Sequence, residues 1–282
     1  MSTQPHPSPP RRLRIALLHL APRPGELEHN RRMLEDAIRA AASAGAEWII
    51  SPELCTTGYT FADGLGTDWI DVQPDAWLQS LCRESARRHL TLFLGLPERD
   101  RQTGLLHNAV LVVEQGVVVG RHRKINALRQ GSEAWSSPGD SATPIPVAAV
   151  GSVGILICGD AFSPGIARHL QQQGARLLVS SAAWAPGFHG PDGEWERCSR
   201  DTGLPLLVCN RTGADRTLDF RAAESVVVKD GERLLTFRSP DSAMVLLDWN
   251  LQRQEPVAAS LRTSPLLPSE AVSRPACGPA NH

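Results

Sequence analysis

Three residues of different chemical type could together cleave an amide-like bond. They are Glu53, Lys124 and Cys158, and each stands at the end of a short apolar run where a β-strand is predicted. A thiol near an ammonium and a helix N-terminus can have a lowered pKa, and a nearby carboxylate can accept its proton. A cation and a backbone N–H can then stabilise the oxyanion of a tetrahedral intermediate. These residue types are therefore consistent with nucleophilic hydrolysis.

Each of these residues also has an ordinary structural explanation. A cysteine at the end of an apolar strand is most often a small core residue. Lys124 belongs to the basic run 121–124, which is typical of a solvated edge, and Glu53 could pair with a surface arginine. The chain has lysine only at 124 and 229 among its 29 basic residues. This usage hints that position 124 needs an ammonium, but it does not decide between the two explanations.

Alternating apolar and amphipathic stretches predict the elements that would position these residues. Gln115-Gly116 and Asp230-Gly231 predict two β-hairpins, and Ser163-Pro164 predicts the cap and first turn of a helix. Helices are predicted at 26–44, at 75–89, from 163 to about 173, and between the strands at 177–180 and 206–209. Further strands are predicted at 14–20, 48–51, 91–96, 108–114, 117–122, 153–158, 222–229, 233–237 and 243–248. Strand–helix units mixed with hairpins predict an α/β layered fold with mixed sheets.

Composition limits the class of protein. The chain has 282 residues, 41% of them apolar and 21% charged, with a net charge of −1. Such a chain can form a large core, and it offers no overall positive field for nucleic acid. No apolar run is long enough to span a bilayer, and residues 1–12 lack the apolar core of a signal peptide. The six cysteines form no CxxC pair and the histidines no zinc spacing, so we expect a cytoplasmic protein with reduced thiols, no metal and no cofactor.

Three ordered sequence blocks resemble the signatures of the nitrilase, or carbon–nitrogen hydrolase, superfamily. They are Pro-Glu-Leu with Thr-Gly-Tyr at 52–59, Gly-x-x-x-Gly-x-x-x-Lys at 116–124, and Cys-x-Asp at 158–160. Trp184 and the pair Asn210-Arg211 also match, and the resemblance covers most of the chain. The resemblance implies a four-layer α-β-β-α sandwich with two mixed sheets, commonly assembled into homodimers or larger oligomers.

The same resemblance assigns roles to residues of this sequence. It implies a catalytic triad in which Glu53 is the general base, Lys124 the oxyanion-stabilising cation and Cys158 the nucleophile. It also implies that Glu133 is a second, supporting glutamate that orients Lys124 or the amide nitrogen. The expected substrate-binding residues are Gly159, Tyr59, Trp135, Asp160 and Trp184.

The residues after the nucleophile depart from the family pattern. Family members that hydrolyse nitriles usually carry Trp-Glu there, whereas this chain carries Gly159-Asp160. The departure argues against nitriles and favours amides or N-carbamoyl compounds. We expect hydrolysis of a small linear amide through a Cys158 thioester, which releases ammonia or an amine and a carboxylate. An alternative is an N-carbamoyl amine or amino acid amidohydrolase, which releases ammonia and carbon dioxide. A non-catalytic binding protein on the same fold is a distant alternative, because drift would be free to break the set of Glu53, Lys124, Glu133 and Cys158.

We expect one carbon–nitrogen hydrolase domain at residues 12–261. A disordered tail would precede it at 1–11, and a segment rich in Pro and Ser at 262–282 would form either a tail or an arm that packs on a partner. The expected partners are a small-molecule amide or N-carbamoyl substrate and further copies of the chain, in a homodimer or larger even homo-oligomer. The basic run 121–124 lacks aromatic interleaving, so no nucleic acid is expected, and no membrane partner is expected either.

Overall fold

The computed structural model describes residues 11–187, 189–258 and 260–266. Five α-helices are formed in this part of the chain: α1 (Leu27–Ser43), α2 (Ala62–Leu65), α3 (Ala76–Arg87), α4 (Pro164–Gln172) and α5 (Glu194–Thr202). Its strands are β1 (Arg12–His19), β2 (Trp48–Ile50), β3 (Thr91–Arg99), β4 (Leu106–Glu114), β5 (Val117–Arg123), β6 (Ile145–Val147), β7 (Gly151–Ile157), β8 (Leu177–Ala182), β9 (Leu206–Asn210), β10 (Ser225–Lys229), β11 (Glu232–Phe237), β12 (Ala243–Asn250), β13 (Glu255–Pro256) and β14 (Arg262–Pro265).

The strands form two mixed sheets. The first sheet has the order β13-β12-β1-β2-β3-β4-β5, with β14 paired beside β12. The second sheet has the order β11-β10-β9-β8-β7-β6. Each sheet has a parallel centre, β1-β2-β3 in the first and β7-β8-β9 in the second, and antiparallel strands outside it. The predicted α/β class with two mixed sheets is confirmed.

Alternation along β1 shows how the layers are held together. Ile15 and Leu17 belong to the apolar cluster that also contains residues of the second sheet. Ala16 and Leu18 point to the other face, into the cluster formed with α1 and α3. A strand whose side chains alternate between two apolar layers is buried on both faces. Helices α4 and α5 contribute Leu170 and other buried residues to the cluster that includes the second sheet, which completes a four-layer α-β-β-α sandwich.

The predicted hairpins are confirmed by their turn geometry. Gln115 and Gly116 have φ values of 52° and 80°, and Asp230 and Gly231 have values of 53° and 82°. Positive φ at both central residues is the requirement of a type I′ turn, which matches the twist of the flanking strands. The hairpin β4–β5 brings the end of β5 to the same edge of the sheet as the end of the parallel strand β3.

Two local expectations need correction. Ser163 precedes α4 but makes no side-chain cap; its Oγ instead accepts a hydrogen bond of 2.8 Å from Nδ2 of Asn126. At the C-terminal end, Arg262–Pro265 forms β14 and pairs with β12 of the chain's own sheet, so the folded domain extends past the boundary predicted at 261. Residues 1–10 of the tail predicted at 1–11, and residues 267–282 of the predicted C-terminal segment, lie outside the described residues. None of the described helices is long and apolar enough to cross a membrane.

We expect Gly95→Ala to lower the free energy of unfolding by about 1–3 kcal/mol, the usual effect of overpacking a core. A Cβ at Gly95 would lie 2.3 Å from the carbonyl oxygen of Pro52 and 2.9 Å from Cα of Glu53. Backbone atoms cannot move aside as the end of a flexible side chain can, so the turn that carries Glu53 must shift. Chemical denaturation measures the change.

Gly165→Ala is the matched control. Gly165 lies in α4 and a Cβ there would meet nothing within 4 Å. Alanine is a better helix former than glycine by up to about 1 kcal/mol, so this variant should be as stable as the wild type or slightly more so. Equal stability of the Gly95 and Gly165 variants would contradict the close approach of β3 to the Glu53 turn.

Candidate active site

The predicted catalytic residues lie together, at the carboxyl ends of strands from both sheets. Glu53 comes three residues after the end of β2, and Cys158 directly follows β7. Lys124 directly follows β5. Because parallel strands at the centre of an α/β sheet end at the same edge, their following turns meet there. The antiparallel hairpin brings the lysine to the same place from the side.

Lys124 is the centre of the cluster. Its side chain is 2% exposed, and the side chains of Glu53 and Glu133 are 0% exposed. Nζ of Lys124 donates to Oε1 of Glu53 over 2.9 Å and also donates to Oε1 of Glu133. The lysine is therefore not part of a solvated basic edge, and the ordinary explanation of the run 121–124 is wrong for this residue.

Asn108 joins the two carboxylates and was not predicted as a site residue. Its Nδ2 donates to Oε1 of Glu53 over 2.7 Å and to Oε1 of Glu133 over 3.1 Å. Its main-chain oxygen accepts the N–H of Lys124 over 2.8 Å. An amide between two carboxylates offers each of them a hydrogen-bond donor without adding a charge. The sequence signal was available, since Asn108 is a polar side chain directly before the apolar run of β4.

Cys158 occupies a strained turn beside these groups. Its φ is +44°, a left-handed conformation that side chains other than glycine rarely adopt. Its side chain is almost completely buried, with the residue 7% exposed. The N–H of Ala183, which directly follows β8, donates to Oε2 of Glu53 over 2.8 Å and also interacts with the thiol of Cys158. A shared donor places the thiol and the Glu53 carboxylate next to each other.

The charges around Cys158 keep its proton on the sulfur. Burial raises the pKa of Cys158 well above its ordinary value, and the negative charge of Glu53 raises it further. Lys124 lowers this pKa, but its effect does not outweigh burial and the two carboxylates. The lowered pKa expected from the sequence is therefore wrong for the resting protein. Cys158 is a neutral thiol that needs a base at the moment of attack.

Glu53 has the properties of that base. Burial raises the pKa of Glu53, the charge of Lys124 lowers it, and the charge of Glu133 raises it again, with a net increase. Burial alone would lower the pKa of Lys124, but Glu53, Cys158 and Glu133 hold it well above its ordinary value. Lys124 therefore stays an ammonium, whereas the proton affinity of Glu53 is higher than that of a solvated glutamate.

A second buried ion pair fixes the loop that carries Tyr59. The side chains of Arg211 and Asp215 are both 0% exposed and lie 2.7 Å apart. Oδ2 of Asp215 accepts the N–H of Tyr59 over 2.9 Å and that of Thr60 over 3.1 Å. The guanidinium of Arg211 stacks over the ring of Phe220 at 4.3 Å, a favourable cation–π arrangement. Tyr59 is thereby held near Lys124, whose charge acts on it.

Aromatic side chains line one side of this loop. Tyr59 contacts Phe220 with the ring centroids 6.4 Å apart, and both belong to one apolar cluster. Trp135 packs against Phe61 of the same cluster at 5.1 Å. The structure therefore brings Tyr59 and Trp135 to one apolar wall, and their predicted contact with substrate stays a prediction.

The other predicted substrate-binding residues differ in their surroundings. The ring of Trp184 lies 4.8 Å from Phe162 and 5.4 Å from Trp195, and its Nε1 donates to the carbonyl oxygen of His189 over 2.8 Å. A Cβ at Gly159 would meet only ordinary contacts, including Cε of Lys124 at 3.8 Å. The missing side chain at Gly159 thus leaves space beside Lys124.

Asp160 does not have the environment of a substrate-binding residue. It is completely buried, and both of its carboxylate oxygens accept hydrogen bonds from the protein. A carboxylate with its acceptor positions filled this way holds main-chain segments in place. The predicted substrate contact of Asp160 is therefore replaced by a structural one.

The remaining described cysteines fit a core role. Cys55, Cys82, Cys198 and Cys209 are buried and make no disulfide, and burial raises the pKa of each. In the described ranges, no group of three or more His, Cys, Asp or Glu side chains could hold a metal ion. Cys158 is distinguished from the other four because the charges of Glu53, Lys124 and Glu133 all act on its pKa.

Known proteins with similar sequences or folds match most of this chain. A probable nitrilase from Schizosaccharomyces pombe is 22% identical over 258 residues, which cover 88% of this chain and 93% of that protein. A citrullinase from Francisella tularensis is 24% identical over 225 residues, which cover 74% of this chain and 78% of that protein. An amidase from Nesterenkonia sp. has a similar fold, with a TM-score of 0.70, 24% identity, and coverage of 85% of this chain and 92% of that chain.

The family model described as carbon-nitrogen hydrolase matches residues 14–242. This range contains both sheets up to the end of β11 and every residue of the cluster around Lys124. The chain therefore belongs to the carbon–nitrogen hydrolase family, within the nitrilase superfamily.

Proposed function

We propose that this hydrolase cleaves the C–N bond of a small linear amide through a thioester on Cys158. The observation that carries the proposal is the contact set of Glu53. Its Oε1 accepts a hydrogen bond from Lys124, and its Oε2 shares the N–H of Ala183 with the Cys158 thiol. One carboxylate oxygen is thus held by the oxyanion-stabilising cation, and the other lies beside the nucleophile that must lose a proton.

The first half of the reaction forms the thioester. Glu53 takes the proton from Sγ of Cys158 as the sulfur attacks the amide carbon, and the carbonyl oxygen becomes an oxyanion. Lys124 and the N–H of Gly159 stabilise that oxyanion. Glu53 then gives the proton to the amide nitrogen, the C–N bond breaks, and ammonia or an amine leaves.

The second half restores the thiol. Glu53, again unprotonated, takes a proton from a water molecule as its oxygen attacks the thioester carbon. The second tetrahedral intermediate uses the same oxyanion donors. Glu53 returns this proton to the Cys158 sulfur as the C–S bond breaks, and the carboxylic acid product leaves. Glu133 takes part by holding Lys124, because it accepts a hydrogen bond from Nζ.

The names of similar proteins support an amide substrate class. The Nesterenkonia protein is described as an amidase, and in a variant of it acrylamide has added to the active-site cysteine. A citrullinase and nitrilases occur among the curated relatives, so N-carbamoyl compounds are the second candidate and nitriles the third. The Gly159-Asp160 pair after the nucleophile is the feature of this chain that favours amides over nitriles. A homodimer or larger even homo-oligomer and a cytoplasmic location also stay predictions.

A product assay over matched amides, N-carbamoyl amines and nitriles tests the proposed function. We expect ammonia release from at least one small amide, faster than from its matching nitrile.

Cys158→Ala should abolish turnover, while its melting temperature stays close to that of the wild type, because the residue is small and the change removes only the thiol. Cys82→Ala is the control and should retain activity, since Cys82 is a buried residue of α3 that packs into the core away from the proposed site. A nitrile hydrolysed faster than its amide would contradict the proposed substrate class, and an active Cys158→Ala variant would contradict the mechanism.

Lys124→Arg should lower turnover by about 10²–10³, the usual effect of losing one oxyanion donor. A guanidinium is planar, forked and longer than an ammonium, so it cannot occupy the closed site between Glu53 and Glu133. Steady-state kinetics and thermal unfolding are measured together, because the lysine is buried between two carboxylates.

Lys229→Arg is the matched control for this substitution. Nζ of Lys229 donates to the carbonyl oxygen of Arg253 at the surface, a contact that an arginine can replace. This variant should behave like the wild type. Turnover within a few-fold of the wild type in both variants would remove Lys124 from the catalytic role.

The pH profile should distinguish a neutral thiol from a thiolate in the resting enzyme. Glu53 must be ionised to accept the proton, and its pKa is raised above the ordinary 4.5, so the acid limb of kcat/KM should lie above pH 4.5. The pKa of Cys158 is raised well above the ordinary 9.0, so the rate should not rise between pH 7 and pH 9. A rate that increases steadily with pH across that range would show that a pre-formed thiolate is needed.

A further inference from the structure

Asp160 accepts four hydrogen bonds from two segments of the active site. Its Oδ1 accepts the N–H of Ile125 over 3.0 Å and that of Asn126 over 2.8 Å. Its Oδ2 accepts Nε2 of His122 over 2.9 Å and the N–H of Ile157 over 2.9 Å. Burial alone would raise the pKa of Asp160, but the bond and charge of His122, together with the backbone donors, lower it below its ordinary value. The carboxylate is therefore ionised and saturated with donors.

The donors flank two catalytic residues. His122 and Ile125 lie on either side of Lys124, whereas Ile157 and Asp160 lie on either side of Cys158. The Asp160 carboxylate thus ties the segment that carries the oxyanion-stabilising cation to the turn that carries the nucleophile. Asn126 adds a second tie, since its Nδ2 donates to the carbonyl oxygen of Gly159 over 3.0 Å.

The turn that is tied in this way is under strain. Cys158 has a φ of +44°, and such a conformation persists only where the surrounding structure holds it. In the proposed mechanism, the oxyanion lies between Nζ of Lys124 and the N–H of Gly159. A shift of either segment changes the distance between these two donors, and a misplacement of about 1 Å can reduce a rate by about 10²-fold.

His122 is the one side chain among the four donors to Asp160. Its side chain is 1% exposed, and it lies on β5 two residues before Lys124. We propose that His122 is a positioning residue, which acts through Asp160 to hold Lys124 and Cys158 at the separation that the oxyanion needs. The proposal rests on the proposed hydrolase function. A histidine that only fills the core would contribute to stability and leave the rate per folded molecule unchanged.

Three substitutions of His122 separate these roles. His122→Gln keeps an N–H donor at about the same distance from the main chain as Nε2 of the histidine. His122→Asn has the same amide group, but its side chain is one methylene shorter. His122→Leu removes the donor and keeps an apolar side chain of similar volume. We expect kcat to fall by about 10–100-fold in the Leu and Asn variants, with a smaller change in KM, and to return to within about fivefold of the wild type in the Gln variant. If the Leu variant does not fold, the comparison of Gln with Asn decides alone.

The rate of alkylation of Cys158 by iodoacetamide, followed by mass spectrometry, is a second readout that needs no substrate. It should fall in the Asn and Leu variants, because the strained turn is no longer held, and recover in the Gln variant.

His19→Leu is the control for loss of a buried, hydrogen-bonded histidine. His19 is completely buried, and its ring nitrogens contact Oγ of Ser225 and the carbonyl oxygen of Ser239, not a carboxylate between catalytic segments. This variant should lose thermal stability and keep its kcat. If the Gln and Asn variants of His122 share one kcat, or if the Leu variant loses only stability, the positioning role is overturned.

Failure of the hydrolase function itself would look different: the wild type would turn over no amide, N-carbamoyl compound or nitrile, and Cys158 would be no more reactive than Cys82.

Discussion

The structure of the active site depends on one electrostatic constraint, which is the burial of two carboxylates around a single ammonium. Glu53, Glu133 and Lys124 are all sealed from solvent, and removing one partner of such a cluster leaves an uncompensated buried charge. The protein compensates the excess negative charge with neutral donors: Asn108 to both carboxylates, Ala183 to Glu53 and Leu128 to Glu133. Each donor comes from a different strand end or loop, so the whole architecture must close before these charges are satisfied.

This constraint also explains the protonation state of the nucleophile. With one ammonium and two carboxylates, the cluster carries an excess negative charge that disfavours a thiolate beside it, and the pKa of Cys158 is raised accordingly. From the sequence, a cysteine at a helix N-terminus near a lysine suggested a lowered pKa. The sequence shows which groups are present, but not the net charge of the cluster or how deeply it is buried. The four-layer sandwich buries the cluster. The ends of β2, β7 and β8 from two facing sheets enclose the cluster, where low polarity strengthens every electrostatic effect.

The sequence predicted those features of the structure that depend on residues close together in the chain. Apolar runs predicted the strands, the Gln115-Gly116 and Asp230-Gly231 turns predicted the hairpins, and three ordered blocks predicted which of six cysteines lies beside Lys124 and Glu53. It was uninformative where the cause is a contact between distant segments. Asn108 reaches two carboxylates that are 55 and 25 positions away in the chain, and β14 pairs with β12. Ser163 followed the usual cap pattern, but Asn126 from the lysine segment binds its hydroxyl instead.

Asp160 is another residue whose role depends on contacts with a distant segment. The family resemblance led us to expect that Asp160 contacts substrate, and no local sequence pattern separates that role from a structural one. The decisive facts are the donors, which come from residues 122–126 as well as from the nucleophile turn. An ionised, buried carboxylate with four donors has little capacity left for a ligand, but it links the lysine segment to the cysteine turn by hydrogen bonds. The strained conformation of Cys158 is therefore held in part by hydrogen bonds from residues 122–126, the segment that contains Lys124. In the proposed mechanism, this one internal contact therefore fixes the two oxyanion donors, Nζ of Lys124 and the N–H of Gly159, relative to each other.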